Sequence, residues 1–307
     1  MKSLRESLLD DNLIDQTDEY IKDEIEAFLK ENFIGASSCK ISRKPNIDGK
    51  YEVSSIKPIG VKNYNITSLT NGSFVWIEVK GDFNCSDCTS LKSLKGAPKE
   101  VGGYFDCSGC KSLESLEGAP KVVGGNFNCY RCNSLTSLEG APKEIGGCFY
   151  CYGCKYLKTL EGAPEKVGGN FNCHNCDSLT LLKGAPEKVS GNFNCDRCNS
   201  LISLEGAPKI VRWGFYCYGC KSLKTLEGAP EKVGGDFECH NCISLKTLEG
   251  APEKVGGDFE CHNCISLTSL EGAPKEVGRD FYCHKCKVKF TVGDVKKISN
   301  VKGKIIC

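Results

Sequence analysis

FECHNCISLKTLEGAPEKVGGD occupies residues 237–258, and FECHNCISLTSLEGAPKEVGRD follows it at once. Their first sixteen letters differ only at Lys246/Thr268 and Thr247/Ser269. Traced outward, the phrase sets a strict period. Phe83, Phe105, Phe127, Phe149, Phe171, Phe193, Phe215, Phe237, Phe259 and Phe281 are each 22 residues apart. Cysteines follow every Phe at +2 (Cys85 to Cys283) and +5 (Cys88 to Cys286), which accounts for twenty of the 23. Leucines stand at +8 and +11, as Leu91 and Leu94, and GAP follows nine times. An aliphatic such as Val101, Ile145 or Val255 precedes the next Phe by four. A slower 66-residue rhythm, in which FYCYGCK at 149 returns at 215, points to duplication of a three-coil block.

A fixed period of this length is the mark of a stacked-repeat architecture. F-x-C puts two apolar side chains on one face of a strand. L-x-x-L continues the inward set around a bend, and G-A-P stops any helix, because Pro lacks the amide donor. One short parallel strand per coil is therefore expected, with an extended or 3₁₀-like back. A single coil cannot bury its apolar face, whereas stacked neighbours can.

V-x-x-x-F-x-C-x-x-C-x-x-L resembles the cysteine-containing form of the leucine-rich repeat. The phrase SLxSLEGAPKEVGGxFxC is similar to tandem repeats of bacteriophage and low-GC bacterial proteins. The resemblance covers about residues 64–287. It implies a right-handed, mainly β, leucine-rich-repeat-like solenoid of about ten coils that acts as a binding scaffold. It also implies that the +5 residue, Asn or Cys in such repeats, bonds the turn backbone.

The chain ends read as caps, except that the N-terminal helical segment reads either as part of a cap or as a second contact element. Residues 1–34 form a helical segment, with Leu8, Leu9 and Leu13, then Ile21, Ile25, Phe28 and Leu29, at helical spacing. Asp15 or Thr17 is the expected N-cap of a second helix within it. Residues 35–80 form a β hairpin turning at Asp48-Gly49, followed by a half-coil in which Ile66 and Leu69 stand for the two coil leucines. The tandem repeats span 81–287. In the cap at 288–307, Val301, Ile305 and Cys307 imitate the Val, Phe and Cys spacing.

Composition narrows the functional classes. Hydrophobic residues are 40% and charged residues 26%, which fits a folded chain, and the net charge of +1 lacks the basic excess of a nucleic-acid or membrane surface. The N-terminus MKSLRESLLDDNLIDQ has no apolar core, so no signal peptide is expected. A reducing cytoplasm is the expected compartment, the host's if the protein is viral, with cysteines as thiols or metal ligands. No G-x-x-x-x-G-K-[ST], G-x-S-x-G or H-E-x-x-H is present, so no enzyme is expected. Cys239 and His240 are neighbours on a strand and diverge, which disfavours a nucleophile–base pair.

The cysteines have two readings. C-x₂-C-x₁₈-C-x₂-C fits zinc spacing, so a zinc-binding or other metal-binding cysteine array stands as the alternative. Against it, the +2 cysteine shares the parity of the buried Phe, and free Cys packs as a small apolar residue. Pairing coils around an ion should also give a period of 44, which is not seen. Inert core ladders without cofactor or metal are the expectation, with disulfides a third possibility.

Positions −1, +1 and +3 from Phe should face out. All four histidines fall at +3, and apart from them the charged residues in these columns are acidic. The expected partner-binding residues are Tyr130, Tyr150, Tyr152, His174, Tyr216, Tyr218, Asp236, Glu238, His240, Asp258, Glu260, His262, Asp280, Tyr282 and His284. Tyrosines give contact area at low entropic cost. The acidic end suits a protein partner with a basic or partly apolar patch. Because the coils at 237 and 259 are copies, their histidines and carboxylates need not form a ligand set, and at most a weak surface ion site is expected there.

Overall fold

The computed structural model describes the backbone of residues 2–307 and side chains from residue 16 onward. The repeats build a solenoid whose coils stack through two parallel ladders. The expected strand is present once per coil but only two residues long, from Phe83–Asn84 to Phe281–Tyr282. A second two-residue strand per coil, from Glu100–Val101 to Glu276–Val277, forms a ladder of its own. Each ladder belongs to a 13-stranded sheet. Register is fixed at one period: Phe127 pairs with Phe149, and Ile145 with Val167.

The Phe strand stops at +1 because the backbone turns. Residue +4 has a left-handed φ in all ten coils, whether it is Gly109 (69°), Arg131 (57°) or Asn241 (58°). The +3 residue therefore lies on the first turn position and not on the strand, which corrects the sequence expectation.

Inside, Phe, Cys and Leu form columns with no solvent exposure along nearly the whole stack. Phe rings from Phe83 to Phe259 lie face to face, with centroids 5.2–5.7 Å apart. Each such side chain contributes roughly 1.5–3 kcal/mol by leaving water.

The first end is closed by one helix, α1, Lys2–Asn32. The expected break near Asp15 and Thr17 is absent, since the segment holds no Pro or Gly to interrupt the helix. Ile25 and Leu29 are buried, and the Phe28 ring packs on Phe33 and Phe74. The side chains of Leu8, Leu9 and Leu13 lie outside the described residues. Phe33–Ile34 pairs antiparallel with Ile59–Val61, and Cys39–Ile41 with Tyr51–Ser55, so antiparallel strands cover the first edge of both sheets. Ile66 and Leu69 are buried like coil leucines. At the other end α2, Val292–Lys296, starts with a Thr291 capping box. Val301 then pairs with Val277 and Ile305 with Phe281, so the last coil is incomplete, as its spacing suggested. No described helix is long and apolar enough to cross a membrane.

Candidate functional site

The cysteines are structural in geometry. Every +5 thiol from Cys110 to Cys286 donates to the carbonyl of the +2 cysteine in the preceding coil, at 3.1–3.4 Å. Several +2 thiols donate forward, as Cys173 does to Asn194 O at 3.4 Å. Burial pushes the Cys264 thiol up to about 12 and raises Cys173 and Cys242 as well, so these three hold their protons at neutral pH. Among the described residues, no three cysteine sulfurs lie within 4.8 Å of one another, as a shared ion would require.

All fifteen expected site residues sit half-buried on one face. They are less exposed than their parity suggests, because each copy packs on the next. At +3 the rings form two stacks. Tyr130, Tyr152 and His174 follow one another at centroid distances of 4.5 and 4.6 Å. Tyr218, His240, His262 and His284 follow at 4.7, 4.5 and 4.7 Å. Asp196 separates the stacks. It is 3% exposed and accepts from the Tyr218 amide at 3.0 Å, and burial raises its carboxyl to about 7. The Arg197 guanidinium lies 5.6 Å from the Tyr218 ring centre.

At +1, Asn84, Asn172 and Asn194 hold the turn: Asn172 Oδ1 accepts from the His174 amide and lies 2.6 Å from the His174 Nδ1. Where +1 is Tyr or Glu, other contacts form. Tyr150 meets Tyr152 edge-on, its hydroxyl raised to about 12 chiefly by the hydrogen bond with Cys148. Tyr216 is also half-buried there, its hydroxyl raised by burial. Glu238 Oε2 lies 3.4 Å from His240 Nε2, and Glu260 Oε2 lies 3.6 Å from His262 Nδ1. Burial lowers His262 to about 4, helped by the His240 and His284 charges. Burial also raises Glu260, with Glu238 adding to it. The Tyr282 hydroxyl donates to Asp280 Oδ2 at 3.2 Å.

The −1 column has a structural duty that parity alone does not reveal. Asp236 Oδ1 accepts from the Asp258 amide and Asp258 Oδ1 from the Asp280 amide, both at 2.8 Å. Asn126, Asn170 and Asn192 do the same for their next coils. Nor are these acids unopposed: Arg279 reaches in from −2, its Nε 3.5 Å from Asp258 and its Nη1 4.0 Å from Asp236. Trp213 was missed by the column reading. It stands at −2, where most coils carry Gly, and is 62% exposed. That departure from Gly-Gly was the available signal.

No family model matches the chain, and no curated protein does. Among solved structures, a leucine-rich repeat protein from Bacteroides ovatus is similar over 87% of this chain and 89% of that chain. The identity is 14% and the TM-score 0.33, too loose a likeness to carry an argument about fold detail or site.

Proposed function

We propose that this chain is a non-catalytic protein-binding scaffold, and that its partner docks on the face carrying the two ring stacks. The observation that carries this reading is the pair of stacks itself. Seven rings are stacked face to face in two runs, half-covered by one another, so little conformational entropy remains to be lost on binding. Trp213, exposed beside the Tyr216–Tyr218 coil, adds an aromatic anchor. Glu238 and Glu260 favour a partner with a basic, partly apolar patch. The likeness of the repeat phrase to bacteriophage proteins supports a phage accessory role, with a host protein, such as a defence factor, as the partner in the host cytoplasm.

The test is a partner capture with the parent chain and with Tyr152→Ala, Tyr218→Ala and Trp213→Ala. Tyr152→Ala removes two face-to-face contacts and Tyr218→Ala one, at about 0.5–1.5 kcal/mol each, little beside the buried Phe, Cys and Leu columns, so circular dichroism should be unchanged while binding falls. A partner retained equally by all three variants means the face is wrongly chosen.

A further inference from the structure

The repeat places His240, Glu260 and His262 together in a way no other coils match. One ligand atom from each lies within 4.8 Å of the other two. Their side chains are only 16%, 23% and 17% exposed. The two imidazoles are stacked, 4.5 Å apart and 11° from parallel, and are held between Tyr218 below and His284 above. Stacking from both sides limits their rotamers. Glu238 approaches His240 from the same coil, so a second carboxylate borders the group.

The polar accounting at this point is incomplete. His262 Nδ1 is buried and has no hydrogen-bond partner, and the same is true of His284 Nδ1. A buried, unpaired ring nitrogen is costly and calls for an explanation such as an ion. His174 shows the contrast: its Nδ1 is matched by Asn172 Oδ1 at 2.6 Å. In the coils at 237 and 259 that Asn is replaced by Glu238 and Glu260. The exchange replaces the short Asn contact by carboxylates that stand 3.4 Å from His240 Nε2 and 3.6 Å from His262 Nδ1, and it supplies a carboxylate ligand.

We propose that His240, Glu260 and His262 bind one divalent transition-metal ion of the zinc class. Two imidazoles and a carboxylate suit zinc and its first-row neighbours, and do not suit calcium or magnesium, which take oxygen ligands. Closing the set around an ion means bringing ligand atoms to about 3.3 Å apart, the edge of a tetrahedron with 2.0–2.1 Å bonds. Binding therefore requires the two rings to tilt out of their parallel stack so that their lone pairs converge. Asn241 Nδ2 lies 2.7 Å from His240 Nδ1. With that amide turned over, its oxygen accepts from Nδ1–H and the Nε2 that faces Glu238 is left for the ion. The site stands independently of whether the face binds a protein.

The experiment is calorimetric titration of Zn²⁺ into the reduced chain after chelator treatment, beside His240→Tyr, His262→Tyr and Glu260→Gln. Tyr is the ring the repeat itself stacks at this position, at Tyr130, Tyr152 and Tyr218, so the two histidine variants keep the ladder. Circular dichroism checks their fold. The expected result is one ion per chain, with affinity lowered at least about tenfold in each variant. Co²⁺ in place of zinc should show no thiolate-to-metal charge-transfer band. The proposal is overturned by no zinc binding, by several ions per chain, by affinity unchanged in His262→Tyr, by a thiolate band, or by Mg²⁺ binding as tightly.

Discussion

Cys132 shows what a single residue of the repeat does. Its thiol donates to Cys107 O at 3.1 Å, across the coil boundary. The Cys107 carbonyl lies in the turn after the Phe strand, where the ladder has ended, and the thiol is the donor that meets it. Cys132→Ala should destabilise the chain by about 1–3 kcal/mol, the cost of a buried unmet carbonyl. Cys132→Ser, which keeps a donor, should cost less; equal losses in urea unfolding would mean that sulfur volume alone matters. Asp196 is the other informative residue. Unfolded, its carboxyl titrates near about 3.9; folded, it titrates at about 7. Between those values the folded chain holds a proton that the unfolded chain has lost. The stabilisation is therefore complete below the lower value and is lost as pH rises to the upper one. Asp196→Asn keeps an acceptor for the Tyr218 amide and has nothing to ionise. Its melting temperature should match the parent near about pH 4 and exceed it at pH 8, by up to about 4 kcal/mol of stability. No pH trend in the difference would show that Asp196 is ionised when folded.

At the scale of one coil, two glycine positions look alike in sequence and differ in space. The GAP glycine Gly162 has φ 85°, and a Cβ there would lie 2.4 Å from the Glu139 backbone. Nine of the ten coils carry glycine at this position, and in the last coil α2 takes its place. Gly153 also has a positive φ, 69°, but a Cβ there would meet only the flexible Arg131 side chain, at 3.3 Å. Other coils carry Asn175, Arg197 or Lys285 in its place with φ near 55°. Gly162→Ala should cost more than about 1–2 kcal/mol, the left-handed penalty alone, because the neighbouring coil must also move. Gly153→Asn should be close to neutral, since Asn tolerates this conformation. Thermal unfolding of the two variants separates them, and similar melting temperatures would mean that coils are not packed as tightly as these contacts indicate.

The whole molecule is a one-dimensional stack in which each coil touches its neighbours. Removing residues 237–258 joins Asp236 to Phe259, and the junction Gly235-Asp236-Phe259 has the same letters as Gly257-Asp258 before it. The shortened chain should fold, with a slightly lower melting temperature and a circular dichroism spectrum like the parent's. It should not bind zinc, because Tyr218 would then face Glu260. Collapse of the fold would show that stability is not shared nearest neighbour by nearest neighbour. The outer ion pairs, such as Lys143–Glu165 at 2.7 Å and Lys254–Glu276 at 2.8 Å, link adjacent coils but are largely exposed. Surface pairs of this kind contribute about 0–1 kcal/mol each, so the stack rests on its Phe, Cys and Leu columns.

Much of this was legible in the letters. A 22-residue period with Phe, Cys and Leu at constant offsets determines which side chains must meet, because identical units stacked in register place like on like. The helicity of the first residues, the hairpin at Asp48-Gly49 and the unfinished last coil were equally readable, since each repeats or interrupts that rule. Three things were not. The second ladder at Lys-Val depends on neighbouring backbones coming into hydrogen-bond reach, which no local pattern states. The −1 aspartates cap amides 22 residues away and meet Arg279, a partnership set by coil spacing. The convergence of His240 with Glu260 and His262 likewise exists only across the coil boundary. Sequence determined the columns, whereas the distance between coils decided what each column does.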